Sequence, residues 1–331
     1  MIYPFANLAH TRQFPTWALI LVLIGIWLAT QIAGMIGYGA ALFLSTAMFV
    51  DGSSVEPSAV FMVAGIVMAI AFASIVMIAL VLLWSCRQER RGFAELGIKF
   101  DRIGWRQYGN GLVIGFLFAF VLILVAALVQ AALSFGKDEA EITNFILNRS
   151  KLADIRLWVL VIVLALLFAV QGAAEELLCR GWLLGALSAK KDLLYGLFLS
   201  SFLFASLHVH YFFIDGLSVS AQQILIGSVA IGAIFAMGLM LGMVSLRDRS
   251  IMGAAGLHSA FNFFIITFAL IAFLISEEAS SVFDAALDGF SESTSVEGVE
   301  PALVVQFITS IFIAAFLYWR FGLPKRKIPP L

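Results

Sequence analysis

The chain has 331 residues, of which 62% are hydrophobic and only 12% charged, about half the charged share of an ordinary globular domain. A mean hydropathy of +1.02, with repeated apolar runs longer than about 18 residues, places those runs as helices in lipid. The formal net charge of −1 gives no global field to favour nucleic acid, and two cysteines, Cys86 and Cys179, are too few for a disulfide framework or a cysteine-rich zinc site.

In chain order, eight apolar runs between charged or turn-rich breaks predict spans near 16–44, 59–85, 108–134, 157–180, 193–214, 221–245, 252–275 and 301–321. The expected fold class is all-α: a polytopic membrane helix bundle of about eight transmembrane helices, forming a single integral membrane domain over 1–331. The first run is longer than a signal peptide's apolar stretch and is preceded by Arg12 as its one basic residue, so it reads as a span. The second link, 86–107, carries Arg87, Arg90, Arg91, Lys99, Arg102 and Arg106, the fourth carries Lys190 and Lys191, and the sixth Arg247 and Arg249. The tail adds Arg320, Lys325, Arg326 and Lys327, whereas "VDGSSVEPS" and 276–300 contain no basic residue. Fifteen of the 20 basic residues thus fall on one side, and both termini are expected in the cytoplasm.

The second link mixes basic and apolar residues, and is expected to lie along the cytoplasmic face as an anchor beside anionic lipid. The acidic stretch 276–300 is expected to be a solvated link. Glycines four apart at Gly111/Gly115, Gly181/Gly185 and Gly238/Gly242 permit close helix contact without identifying a partner.

The fourth run, "LLFAVQGAAEELLCRGWLLGAL", sets Glu175, Glu176 and Arg180 among leucines. A charge at the bilayer centre costs about 2.5–3.5 kcal/mol on insertion scales. Glu176 and Arg180 are four apart and can pair on a helix; Glu175, turned about 100° away, needs another role. Two further runs add polar groups. In "FLFASLHVHY" Phe204 and His208 are four apart, and in "GAAGLHSAFNFF" His258 and Asn262 are four apart on one helical face. A base, two imidazoles and an amide donor are the inventory for adding water to a carbonyl. There is no HExxH, no GxSxG and no Ser-Lys helix signature.

Depth poses a difficulty. If the fifth span starts at Leu193, His208 lies about 22 Å inward, while His258 lies near the cytoplasmic end of its own span. "GWLLGALSAKKD" is therefore expected to extend past the membrane edge, with the fifth span starting lower than Leu193. The alternative is an unusually deep cavity.

Glu-Glu-x-x-x-Arg at 175–180, Phe-x-x-x-His at 204–208 and His-x-x-x-Asn at 258–262 resemble, in order, the three motifs of the CPBP family. This family comprises CAAX prenyl endopeptidases and bacteriocin-processing or immunity (Abi) proteins. The resemblance covers roughly 157–275, which it marks as the catalytic core, and implies a bundle of about eight helices. It implies that Glu175 activates water with His208 assisting, that His258 and Asn262 hold the oxyanion, that Arg180 positions the acidic pair through Glu176, and that Phe204 packs the site wall. The family is often classed with metalloproteases, so Glu175, His208 and His258 are candidate ligands for a divalent metal such as zinc. A glutamate–histidine mechanism without a required metal is ranked ahead, because an asparagine suits an oxyanion site better than a zinc shell.

The expected partners are the lipid bilayer and a membrane-associated polypeptide substrate, without nucleic acid, and the expected location is a bacterial cytoplasmic membrane. Two competing readings are a proton- or ion-coupled transporter using the same acid and histidines as a relay, and a non-catalytic immunity or scaffold protein. A relay has no need of Phe204 and Asn262 at fixed offsets from the histidines, and a degenerate protein would lack a motif residue.

Overall fold

A computed structural model describes residues 13–48, 59–134, 155–209, 220–275 and 301–322. The links 49–58 and 276–300, most of the third link, the end of the fifth run and the basic tail lie outside these residues. All elements described are helical: α1 (Thr16–Met48), α2 (Ala59–Leu83), α3 (Arg102–Ser134), α4 (Ile155–Glu176), α5 (Leu184–Ser188), α6 (Leu193–Ser206), α7 (Ala221–Asp248), α8 (Met252–Ile275) and α9 (Pro301–Phe321). Each of the eight expected runs falls on a helix. Among the described residues, six helices are long and apolar enough to cross a membrane. The chain is an all-α, membrane-embedded helix bundle.

Two boundaries differ from the expected ones for local reasons. Helix α3 starts at Arg102 rather than 108, because the Asp101 carboxylate accepts the Gly104 N–H at 2.8 Å and caps the first turn. The fourth run does not stop near 180. α4 passes into a π-helical segment, Leu177–Leu183, and then into α5, giving one rod that reaches Ser188. A π segment inserts a residue into the helical repeat and re-aims the side chains around it. Here it carries Arg180.

The rod lies at the centre of the bundle, where Trp182, Leu183, Leu184 and Leu187 are fully buried. The outer helices turn Leu21, Ile32, Met35, Phe120 and other large apolar groups outward, as helices bathed in lipid do. Close approach depends on small residues. A Cβ added to Gly172 on α4 would stand 2.8 Å from the Ser259 nitrogen and 3.0 Å from its Cα on α8, so these backbones meet only because position 172 lacks a side chain.

The second link is folded inward in part, while Arg87, Arg90, Arg102 and Arg106 stay exposed. After the short π turn Trp84–Gln88, the chain turns inward at Glu89 and Arg91, which are 1% and 4% exposed. Glu89 Oε1 accepts the indole N–H of Trp84 at 3.0 Å and of Trp182 at 2.9 Å, while its Oε2 lies 2.8 Å from Arg91 Nε. Arg91 also donates to the Trp182 carbonyl at 3.1 Å, inside the π segment. Burial lowers the Arg91 pKa, and the adjacent Glu89 carboxylate opposes that shift. The link thus packs beneath the motif rod: Leu96 is fully buried, and the Gly97 carbonyl accepts from Ile251 N–H and Ser250 Oγ–H.

Candidate active site

The depth difficulty resolves through chain geometry. Helix α6 begins at Leu193, with Asp192 as its N-cap accepting the Tyr195 N–H, so the span does not start lower. His208 lies 15 residues on, about 22 Å at 1.5 Å per residue. Glu175 lies 13 residues before Ser188, where the antiparallel motif rod ends, about 20 Å back along it. The two side chains are therefore level. Helix α1 starts beside the same turn, as Lys190 Nζ reaches Gln13 Oε1 at 3.4 Å, and Gln31 then lies about 22 Å along it. His258 meets this level only six residues into α8. That helix consequently begins deeper, and the inward-folded second link fills the space below it.

At this level the motif charges form one connected network. Arg180 Nη1 bonds Glu176 Oε1 at 2.8 Å, and Nη2 bonds the Gly238 carbonyl at 3.1 Å on α7. Both residues are buried, 1% and 0% exposed, so each charge depends on the other for compensation. The Arg180 guanidinium also sits 4.6 Å over the Phe204 ring. His258 Nδ1 lies 2.9 Å from the same Glu176 oxygen, and its Nε2 lies 3.6 Å from Glu175 Oε2. Phe204 is packed edge-on against both imidazoles, with centroids 5.1 Å from His208 and 6.0 Å from His258. The Phe204 carbonyl accepts a hydrogen bond from His208 Nδ1 at 3.0 Å, which leaves the lone pair of a neutral ring on Nε2.

Sequence reading missed one member of this network, Gln171. Its amide donates to Glu175 Oε1 and accepts from Asn262 Nδ2 at 3.0 Å. The available signal was its position one helical turn before Glu175, after an unbroken apolar stretch from Leu157 to Val170.

A cavity of about 140 Å³ opens beside the network, lined by Glu175, Leu178 and Cys179 of the rod, Phe204, Leu207 and His208, and by Trp27, Gln31 and Met77 from α1 and α2. Three of the seven motif side chains, Glu175, Phe204 and His208, face it; Glu176, Arg180, His258 and Asn262 stand behind them. Among the described residues, no three His, Cys, Asp or Glu side chains gather as a metal-ligand set. His258 directs Nδ1 to Glu176, and His208 directs Nδ1 to a backbone carbonyl. The expected zinc candidates Glu175, His208 and His258 are thus not gathered as a three-ligand set among the described residues, while an Nδ1 held by an oxygen acceptor is by itself compatible with ligation through Nε2.

The fold and site define a membrane helix bundle holding two acids, an arginine and two imidazoles around an internal cavity. Residues 156–264 match the family model described as Rce1-like, Type II CAAX prenyl endopeptidase Rce1-like. The matched segment contains all three motifs, in line with the resemblance read from them, and leaves α1–α3 and α9 outside. No curated protein and no solved structure matches the chain.

Proposed function

We propose that the protein is an intramembrane endopeptidase that hydrolyses a peptide bond in a membrane-associated polypeptide. The observation that carries this reading is Glu175: an acid facing a cavity, held on one oxygen by Gln171 and faced on the other by His258 Nε2.

Glu175 is the base. It takes a proton from a water in the cavity as the water oxygen bonds to the substrate carbonyl carbon. The proton then passes to the departing amine as the C–N bond breaks, so acid and base are one residue in two states. His208, on the same wall, assists in orienting the water. Asn262 commits one N–H to Gln171 and keeps a second, which is assigned to the developing oxyanion, while His258, whose ring nitrogens face Glu176 and Glu175, is assigned to positioning the base. Glu176, paired with Arg180, holds His258 in place and takes no proton itself. A cavity of about 140 Å³ is smaller than the roughly 300–1,000 Å³ of small-molecule pockets. It suits a scissile bond, an attacking water and one adjacent side chain better than a folded domain. With both termini assigned to the cytoplasm, the cavity serves the cytoplasmic half of the bilayer.

A transport relay needs titratable groups spaced through the membrane. The motif residues Glu175, Glu176, Arg180, His208 and His258 instead gather at one level, which favours hydrolysis. The test is product chemistry: proteoliposomes are offered a membrane-peptide library in water enriched with oxygen-18. New C-termini carrying one heavy oxygen support hydrolysis, whereas proton or ion flux without new termini supports the relay.

A further inference from the structure

The cavity has a second wall that the motifs do not supply. Trp27 and Gln31 are four residues apart on α1, hence on one helical face, and Met77 of α2 stands beside them on the cavity. None of the three belongs to the segment that matches the family model.

Gln31 is the one carboxamide on α1, a helix without a charged residue. The neighbouring Thr30 hydroxyl is satisfied, donating to the Trp27 carbonyl at 2.6 Å. Among the described residues the Gln31 amide has no hydrogen-bond partner, although it lies about 22 Å along a membrane helix. A polar side chain at that depth is costly unless it meets a polar group. It sits level with Glu175 and His208 and shares their cavity.

An extended peptide entering this cavity brings main-chain N–H and C=O groups that must be paired once out of water. The nearby amides have other assignments: Gln171 bonds Glu175 and Asn262, and Asn262 gives one N–H to Gln171 and the other to the oxyanion. Gln31 offers both a donor and an acceptor. We propose that Gln31 binds the substrate main chain next to the scissile bond, and that Trp27 and Met77 shape the pocket for the adjacent side chain. This proposal rests on the endopeptidase reading above.

The experiment uses the full-length protein in detergent and a quenched fluorogenic membrane peptide selected for cleavage by wild type. Gln31→Met keeps shape and length while removing both polar groups. The expected result is a KM about five- to tenfold higher, the equivalent of one hydrogen bond, with kcat within about twofold. The same weakening is expected in the Kd of the peptide measured on Glu175→Gln and on Glu175→Gln with Gln31→Met. Trp27→Ala is expected to shift the preferred residue beside the cut toward larger side chains, and Trp27→Phe to shift it little. Unchanged KM and Kd with Gln31→Met would overturn the proposal, whether or not Glu175→Gln stops turnover. Normal turnover in Glu175→Gln would instead remove the assigned base and leave the binding comparison standing.

Discussion

His258 Nδ1 and Glu176 Oε1 lie 2.9 Å apart across 82 residues of chain, and that contact sets the protonation pattern of the site. Glu176 is paired with Arg180 and accepts, so Nδ1 carries the proton. Nε2 then faces Glu175 Oε2 at 3.6 Å, an attractive arrangement when one proton is held between them. The glutamate that does not touch the cavity thus orients the imidazole that governs the one that does.

Gln171 holds Glu175 and Asn262 in register, so Gln171→Leu is expected to lower kcat roughly 10–100-fold through misplacement of the base. KM should change little. Near-wild-type kcat in Gln171→Met, which keeps the length of the side chain without its amide, would argue for a steric cause instead, and steady-state kinetics on the same peptide separates the two.

Arg180→Met leaves Glu176 buried without its partner, and a broken buried pair costs about 3–5 kcal/mol. The variant should unfold at clearly lower temperature in detergent. Adding Glu176→Gln removes the uncompensated charge and should recover part of that loss, without restoring cleavage. A single Arg180 variant as stable as wild type would contradict the buried geometry.

Gly172→Ala sets a methyl group against the Ser259 backbone and pushes α8 away from α4, carrying His258 from Glu176. Cleavage should fall steeply. Adding Ser259→Ala should not rescue it, because two of the three nearest atoms are main chain. Rescue would place the clash in the serine hydroxyl alone.

The described residues bring no three metal-ligating side chains together, and Asn262 suits an oxyanion site better than a zinc shell. Cleavage is therefore expected to survive exhaustive chelation, with no gain on adding zinc. Loss on chelation and return with a stoichiometric divalent ion would contradict the glutamate–histidine assignment.

The charges at 175, 176 and 180 were legible because lipid makes any such group conspicuous, and the four-residue spacing foretold the Glu176–Arg180 pair. The spans were legible for the same reason: length and apolarity alone decide them. Spacing could not bring His258 to Glu176, since that contact depends on the missing side chain at Gly172 and on α8 starting below the level of the site. Nor does a 3.6-residue repeat reveal a π segment, so the aim of Arg180 came only with the structure, whereas the extension of the rod through "GWLLGALS" was expected from the depth of His208. In the second link, composition suggested a lipid anchor. It did not reveal that Glu89 and Arg91 turn inward, where two indole N–H groups and the Trp182 carbonyl meet them. Gln171 lay within the run already singled out, but an amide is a weak signal beside two carboxylates.

Glu175 as the base is tested most directly by single-turnover cleavage of a bound membrane peptide by wild type and Glu175→Gln. The isosteric amide keeps size and hydrogen bonding but cannot take a proton. Peptide binding and thermal unfolding should match wild type, with cleavage reduced by at least about 100-fold. Cleavage at the wild-type rate, by a variant that binds peptide normally, would contradict the account.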